Sequence, residues 1–231
     1  CVNGILIAYR GNDKSVTVPY GVTGIGSGAF MSNESLMCVN IPESVIYIDA
    51  LAFSGCTNLI CANISQSVEW IDEYAFDQSN IKRVYGGNNI RTIGRAAFAD
   101  TDLEYFEIPE ALETLGSFAF AGVNLTEVVF HDKLVEVGYQ VFNYSKIKRA
   151  VISEAIAHLS DKLFVNCFDL ETVVIGGAVE SIGEKVFESC TALKNLTFED
   201  GVEGIDTNLN FNNTAIVTVT IPGSIKSTPS F

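Results

Sequence analysis

The sequence predicts a mainly β solenoid: about nine stacked units of 22–24 residues, each built of short parallel strands joined by turns or 3₁₀ pieces. Three observations predict it. Phe occurs 15 times in 231 residues against two Met and one Trp. Nine of these, Phe30, Phe53, Phe76, Phe98, Phe120, Phe142, Phe164, Phe187 and Phe211, lie 23, 23, 22, 22, 22, 22, 23 and 24 residues apart. The apolar residues between them keep phase. Counted from the first apolar residue of a unit as position 0, Leu36 is followed by Val39, Ile41, Val45, Ile48 and Phe53 at positions 3, 5, 9, 12 and 17. Phe106, Ile108, Leu112, Leu115 and Phe120 take the same places after Leu103, and Val173, Ile175, Val179, Ile182 and Phe187 after Leu170. A unit this small cannot bury its own apolar face, whereas stacked units share one continuous core.

Residues 1–15 read as an N-terminal strand and turn, either a cap or the end of a preceding unit, with Gly4 to Tyr9 as the strand and Gly11-Asn12-Asp13 as the turn. The solenoid follows over 16–231 as a single domain. Each unit opens apolar-x-x-apolar-x-apolar, whose final period of two is a strand signal, so positions 3 and 5 face inward and positions 2 and 4 outward. Pro19, Pro42, Pro109 and Pro222 close that strand, where a missing N–H ends a ladder. Positions 9 and 12 form a second short extended stretch. Position 13 is Gly26, Gly94, Gly116, Gly138 or Gly183, replaced elsewhere by Asp49, Asp72, Ser160 and Asp206. That exchange reads as a tight turn whose residues tolerate positive φ. The Ala-Phe step after it is too short for an α-helix and reads as one helical or 3₁₀ turn. A tenth unit begins at Ile216, and Ile225-Lys226-Ser227-Thr228-Pro229 abandons the pattern.

Composition excludes several functions. With 48% hydrophobic residues the chain folds, and 28 acidic against 14 basic residues, a net charge of −14, speak against nucleic-acid binding, which needs a basic face. No apolar run approaches the roughly 18 residues of a membrane span, so no membrane insertion is expected. Cys1 reads as the edge of an excised part rather than a lipid-attached residue.

The run Ala52-Phe53-Ser54-Gly55-Cys56-Thr57-Asn58-Leu59, preceded by Val39-Asn40-Ile41-Pro42-Glu43-Ser44-Val45, is similar to the bacterial BspA-like leucine-rich repeats. Related segments recur at Val186 to Leu193 and Val219 to Pro222. The resemblance spans about Gly4 to Ile225. It implies a leucine-rich-repeat solenoid, commonly on secreted or surface-anchored proteins of gut and oral bacteria and some parasitic protists, with proposed adhesion to host proteins. It carries over no binding residues, because the fold does not specify a partner.

The residues themselves offer little chemistry. Cys56, Cys167 and Cys190 share position 20 and read as small buried thiols. Cys38 and Cys61 share outward position 2 on adjacent strands, where parallel side chains give poor disulfide geometry, so a bond is disfavoured though left open. His131 and His158 fall at different positions and read as surface histidines. Catalysis is not expected, and neither is a cofactor. Glu110, Asp132 and Glu154 share position 7 in consecutive units and form a weak Ca²⁺ candidate, since hard oxygen ligands suit that ion.

The sharper candidate is the outward face of the first strands. Arg83, Tyr85, Tyr105, Glu107, Glu127, Val129, Arg149, Val151 and Val174 mix aromatic, Arg and apolar side chains as protein-binding patches do. Trp70 is a separate exposed-aromatic candidate. The expected function is a non-enzymatic extracellular or cell-surface module that binds a protein or glycan, a host extracellular protein being one such partner, through a concave sheet face. The alternative is a structural spacer or stalk repeat of a larger surface protein. Oligomeric state stays open.

Overall fold

The computed structural model describes residues 1–202 and 211–224, so Asp206 and the segment 225–229 lie outside the described residues. All regular structure among them is strand, and every strand pairing is parallel. First strands stack as Ser15–Thr17, Cys38–Ile41, Cys61–Ile64 and Arg83–Gly86, and again from Glu127–Val129 through Arg149–Ile152, Thr172–Ile175 and Asn195–Phe198 to Thr218–Thr220. Second strands, two residues each, stack from Ile5–Leu6 to Glu136–Val137, with His158–Leu159 and Ser181–Ile182 as a separate pair. No helix among the described residues is long and apolar enough to cross a membrane.

Residues that share a unit position are register partners, Val39 with Ala62 and Ala62 with Val84, so the sequence period becomes columns of like side chains. Between the two strands the position-6 carbonyl accepts the position-9 N–H, as in Val45 to Pro42 at 3.0 Å and Leu112 to Pro109 at 3.0 Å. Pro suits this place because only its carbonyl is used.

The Phe arc departs from the helical reading. Ala52, Ser54 and Cys56 donate their N–H groups three residues back within the unit, to Asp49, Leu51 and Phe53, while Leu51, Phe53 and Gly55 donate to Glu73, Ala75 and Asp77 of the next unit. A helix would spend every N–H internally; here alternate ones bind the neighbour. The alternation is made by left-handed residues two before and two after the Phe, such as Leu51 (φ 59°) with Gly55 (φ 68°) and Phe118 (φ 62°) with Gly122 (φ 74°). Position 13 is therefore not the positive-φ site. Its glycines have ordinary φ and answer close approach instead, since a Cβ on Gly116 would lie 2.5 Å from the Arg95 nitrogen and one on Gly138 2.3 Å from that of Ser117.

Eight ladder rings, Phe30 through Phe187, are fully buried. Successive rings are nearly parallel, with centroids 4.8 Å apart at Phe30–Phe53, 5.0 Å at Phe53–Phe76 and 5.1 Å at Phe76–Phe98. Tyr9 heads the column, stacked 5.0 Å from Phe30, while Ile5–Leu6 pairs with Gly24–Ile25, so residues 5–9 take the place of a unit's second half. Phe106, Phe130 and Phe198 are also buried. The thiols of Cys56, Cys167 and Cys190 are buried and donate to the carbonyls of Phe30, Phe142 and Phe164 at 3.0–3.1 Å. Ser79 and Thr101 take the same position and donate to Phe76 and Phe98. Burial pushes the thiols up, to about 11 for Cys56 and about 12 for Cys167.

The disfavoured bond between Cys38 and Cys61 is a further expectation overturned. Cys38 and Cys61 are disulfide-bonded, with Cα atoms 4.8 Å apart. Register partners on adjacent parallel strands do point the same way, but one strand spacing falls inside the Cα range a disulfide spans.

Two outcomes are expected. Phe120→Ala lowers unfolding free energy by about 3–5 kcal/mol in urea titration, whereas Phe168→Ala, on a half-exposed ring outside the ladder, falls well below that. Replacing both Cys38 and Cys61 by Ser, which opens a loop with a sequence separation of 23 residues, costs about 3 kcal/mol in the same assay.

Candidate interaction surface

The outward face of the first strands begins with polar columns. Asn40 and Asn63 are register partners joined by a side-chain hydrogen bond, and Asn40 donates to Thr17 at 3.3 Å. Tyr85 extends that column and Arg83 the Cys38–Cys61 column. Tyr85 and Tyr105 are 44% and 43% exposed, with ring centroids 5.8 Å apart. The Tyr105 hydroxyl donates to Glu107 at 2.6 Å, and the neighbouring carboxylate raises the affinity of that hydroxyl for its proton. Lys82 pairs with Glu104 at 3.3 Å, and Arg83 approaches the same carboxylate at 4.0 Å.

There the sheet stops. Tyr105 is held to the preceding unit by its N–H to Lys82 and by the Val84 N–H to its carbonyl, both 3.1 Å, but no strand pairing joins Tyr105–Ile108 to Glu127–Val129. The backbone bond that crosses lies ahead of the strand, from Asn124 to Leu103 at 3.0 Å. The cause is a side chain. Inward position 3 is Val16, Val39, Ala62, Val84, Val128, Ala150, Val173, Leu196 or Val219 in the other units, and Phe106 here. The Phe106 ring wedges against the ladder, 5.4 Å from Phe98 and 5.8 Å from Phe120 and tilted by 37° and 38°. A core at crystal-like density has no room for the extra ring unless the strand carrying it moves out. Ladder spacing alone does not open the sheet, because Phe164 and Phe187 are 6.1 Å apart while the first strands of their units, Arg149–Ile152 and Thr172–Ile175, are fully paired. The opening is a cleft of about 790 Å³, lined in part by Tyr105, Glu107, Glu127 and Val129.

Past the cleft the face resumes. Glu127 and Arg149 are register partners and form an ion pair. Val129, Val151 and Val174 make one column, exposed at Val129 and half-buried at the other two. The nine expected residues thus share one face, split into Arg83, Tyr85, Tyr105 and Glu107 on one side of the cleft and Glu127, Val129, Arg149, Val151 and Val174 on the other. Glu110, Asp132 and Glu154 are exposed, and among the described residues no group of three or more His, Cys, Asp or Glu side chains could hold a metal ion. Trp70 is 40% exposed and stacks on Tyr47 at 5.7 Å. His158 meets the Ser181 hydroxyl at 2.6 Å.

The Phe arcs carry a second patch. The Arg95 guanidinium lies 5.4 Å above the Phe118 ring and its Nε donates to the Tyr74 hydroxyl at 3.1 Å, while Tyr139 packs edge-on against Phe118. These side chains occupy positions 14 and 15, which periodicity alone assigns to a turn. A shallow groove of about 400 Å³ beside them holds Asp77 and Asp100. Burial, then the nearby Asp100 carboxylate, pushes Asp77 up to about 6.

Comparison with known proteins agrees with this architecture. The BspA type leucine rich repeat region profile matches residues 8–123 and 113–230 in six copies. No curated protein sequence matches. A leucine-rich repeat protein from Bacteroides ovatus superposes with a TM-score of 0.79 at 28% identity, covering 92% of this chain and 56% of that one, so the chain spans little more than half that relative's length. The T. pallidum leucine rich repeat protein, TM-score 0.57 at 23% identity, covers 82% of each chain. One from Eubacterium ventriosum, TM-score 0.51 at 17% identity, covers 92% of this chain and 81% of that one. The last two show the fold alone.

Asp77 supplies a pH test of the arc face. A carboxyl whose folded value is raised contributes stability that is full below its unfolded value and is lost as pH rises through the folded one, a window of about pH 4 to 6 here. Asp77→Asn is expected to raise the melting temperature at about pH 7.5 and to leave it unchanged or lower at about pH 4.

Proposed function

Because this chain belongs to the BspA-type leucine-rich repeat family, we propose that it is a non-enzymatic extracellular or cell-surface module that binds a protein partner through the outward face of its first strands. One observation carries the reading: Tyr85, on the last strand of its sheet, and Tyr105, bridged to that strand, stand 43–44% exposed beside Arg83, with Arg149 and the valine column across the cleft. Rigid aromatic rings lose little entropy on binding, and Tyr and Arg dominate protein-binding energetics. The backbone beneath is held by the ladder, so the face is preorganised. The Cys38–Cys61 disulfide supports an oxidising compartment, where such bonds persist.

The second reading, a spacer repeat, is favoured by the Bacteroides ovatus relative's greater length, of which this chain covers 56%. The two readings part in one experiment. Against a surface-immobilised panel of purified host extracellular proteins, Tyr85→Ala with Tyr105→Ala is expected to weaken binding by about tenfold or more while shifting the melting temperature by no more than a few degrees. Binding that survives the double substitution sinks the assignment to this face, and a panel on which wild type binds nothing favours the spacer.

A further inference from the structure

Parallel ladders leave an alternating set of backbone groups to each side of a strand. Arg149 donates its N–H to the Thr126 carbonyl and Phe130 donates to Val151, so the Arg149–Ile152 strand uses residues 126, 128 and 130 of its neighbour. Glu127 and Val129 therefore turn their N–H and C=O groups the other way, into the cleft. On the far wall, Glu104 and Tyr105 both donate their N–H groups back to the Lys82 carbonyl and Tyr105 accepts from Val84, which leaves the Glu104 carbonyl and the Phe106 backbone facing forward. In a continuous solenoid these groups would pair with each other. Here Phe106 holds the walls apart, and an internal strand edge faces a cleft of about 790 Å³.

The charge around that edge is one-sided. Glu104, Glu107, Glu110 and Glu127 line the cleft with Lys133 as the one Lys or Arg among them. Glu104 and Glu127 have ion pairs with Lys82, Arg83 and Arg149, whereas Glu107 and Glu110 have none among the described residues. An incoming chain would thus find free donors and acceptors at strand spacing and two uncompensated carboxylates beside them.

We propose that the cleft between Tyr105 and Glu127 binds an extended, lysine- or arginine-rich peptide segment of a protein partner by strand addition to the Glu127–Val129 edge. This rests on the sheet-face reading and names the chemistry of its partner. Main-chain hydrogen bonds to Glu127 and Val129 give the affinity, and basic side chains on one face of the added strand meet Glu107 and Glu110. Along the first strands this is the one internal edge among the described residues that the next unit leaves uncovered, so selectivity for this place on that face comes from the wedge.

The test uses the intact chain and three labelled octapeptides: alternating Lys-Thr, alternating Lys-Pro and alternating Glu-Thr. Fluorescence anisotropy is expected to show the Lys-Thr peptide binding, the Lys-Pro peptide about tenfold weaker or more because it lacks the alternate N–H groups, and the Glu-Thr peptide not at all. Phe106→Val, which installs the residue other units use, is expected to close the ladder, raise hydrogen-exchange protection of the Glu127 and Val129 amides, and abolish Lys-Thr binding. Val129→Pro removes a cleft-facing donor without touching the bonds to Arg149–Ile152, and is expected to weaken binding comparably should Phe106→Val fold poorly. Equal affinity for Lys-Thr and Lys-Pro, no Lys-Thr binding, or undiminished binding in both variants overturns the proposal. Host-protein binding lost in Tyr85→Ala/Tyr105→Ala but kept in Phe106→Val and Val129→Pro overturns it while leaving the sheet-face reading intact.

Discussion

One repeat distance governs this protein. Stacked Phe rings sit 4.8–5.1 Å apart through the first four units, and parallel strands pair at about 4.8 Å. Because both interactions favour nearly the same pitch, a ring ladder and two strand ladders can run side by side without strain, with the arc hydrogen bonds from the Phe N–H groups of Phe30 through Phe164 to the next unit locking the three together. Every other feature follows from keeping or breaking that pitch. Glycine at position 13 keeps it, since a Cβ there would strike the neighbouring backbone. Phe106 breaks it on one side only.

Locking the inner columns frees the outer ones. Positions 2 and 4 contribute little to the core, so Cys, Asn, Arg, Tyr, Glu and Val can follow one another along the face while the backbone stays the same. Interaction chemistry can therefore vary unit by unit on a fixed scaffold, in keeping with a fold that does not dictate its partner. The disulfide uses the same freedom, linking two units through outward side chains. The cleft is different in kind, because it exposes backbone rather than side chains, and that requires a change in the core.

Most of the architecture was legible in the residues. The nine-fold recurrence of Phe, the inward Val/Ile columns and the outward alternation all rest on period, which stacking converts directly into register. The small residues at position 20 were equally readable, since a thiol or hydroxyl fits a tight buried turn. The arc was not: turns and a 3₁₀ piece share the same residues, and only the neighbour's carbonyls decide where alternate N–H groups go. Left-handed Tyr74, Phe118 and Tyr144 illustrate the point, because such bulky residues signal nothing of positive φ by themselves. For the candidate surface, the sequence placed nine residues on one face and offered, unread, an aromatic at position 3 where the other units carry Val, Ala or Leu.

By itself the sequence determined the repeat, the identity of the core columns and which side chains look outward, because these depend on spacing along the chain and on the need to bury apolar surface. Only the tertiary structure decided that Cys38 and Cys61 are joined and that the first-strand sheet parts between Tyr105 and Glu127. Both outcomes depend on distances between units: a separation of 4.8 Å brings two thiols within bonding reach, and one extra ring pressed against Phe98 and Phe120 forces two strands out of theirs.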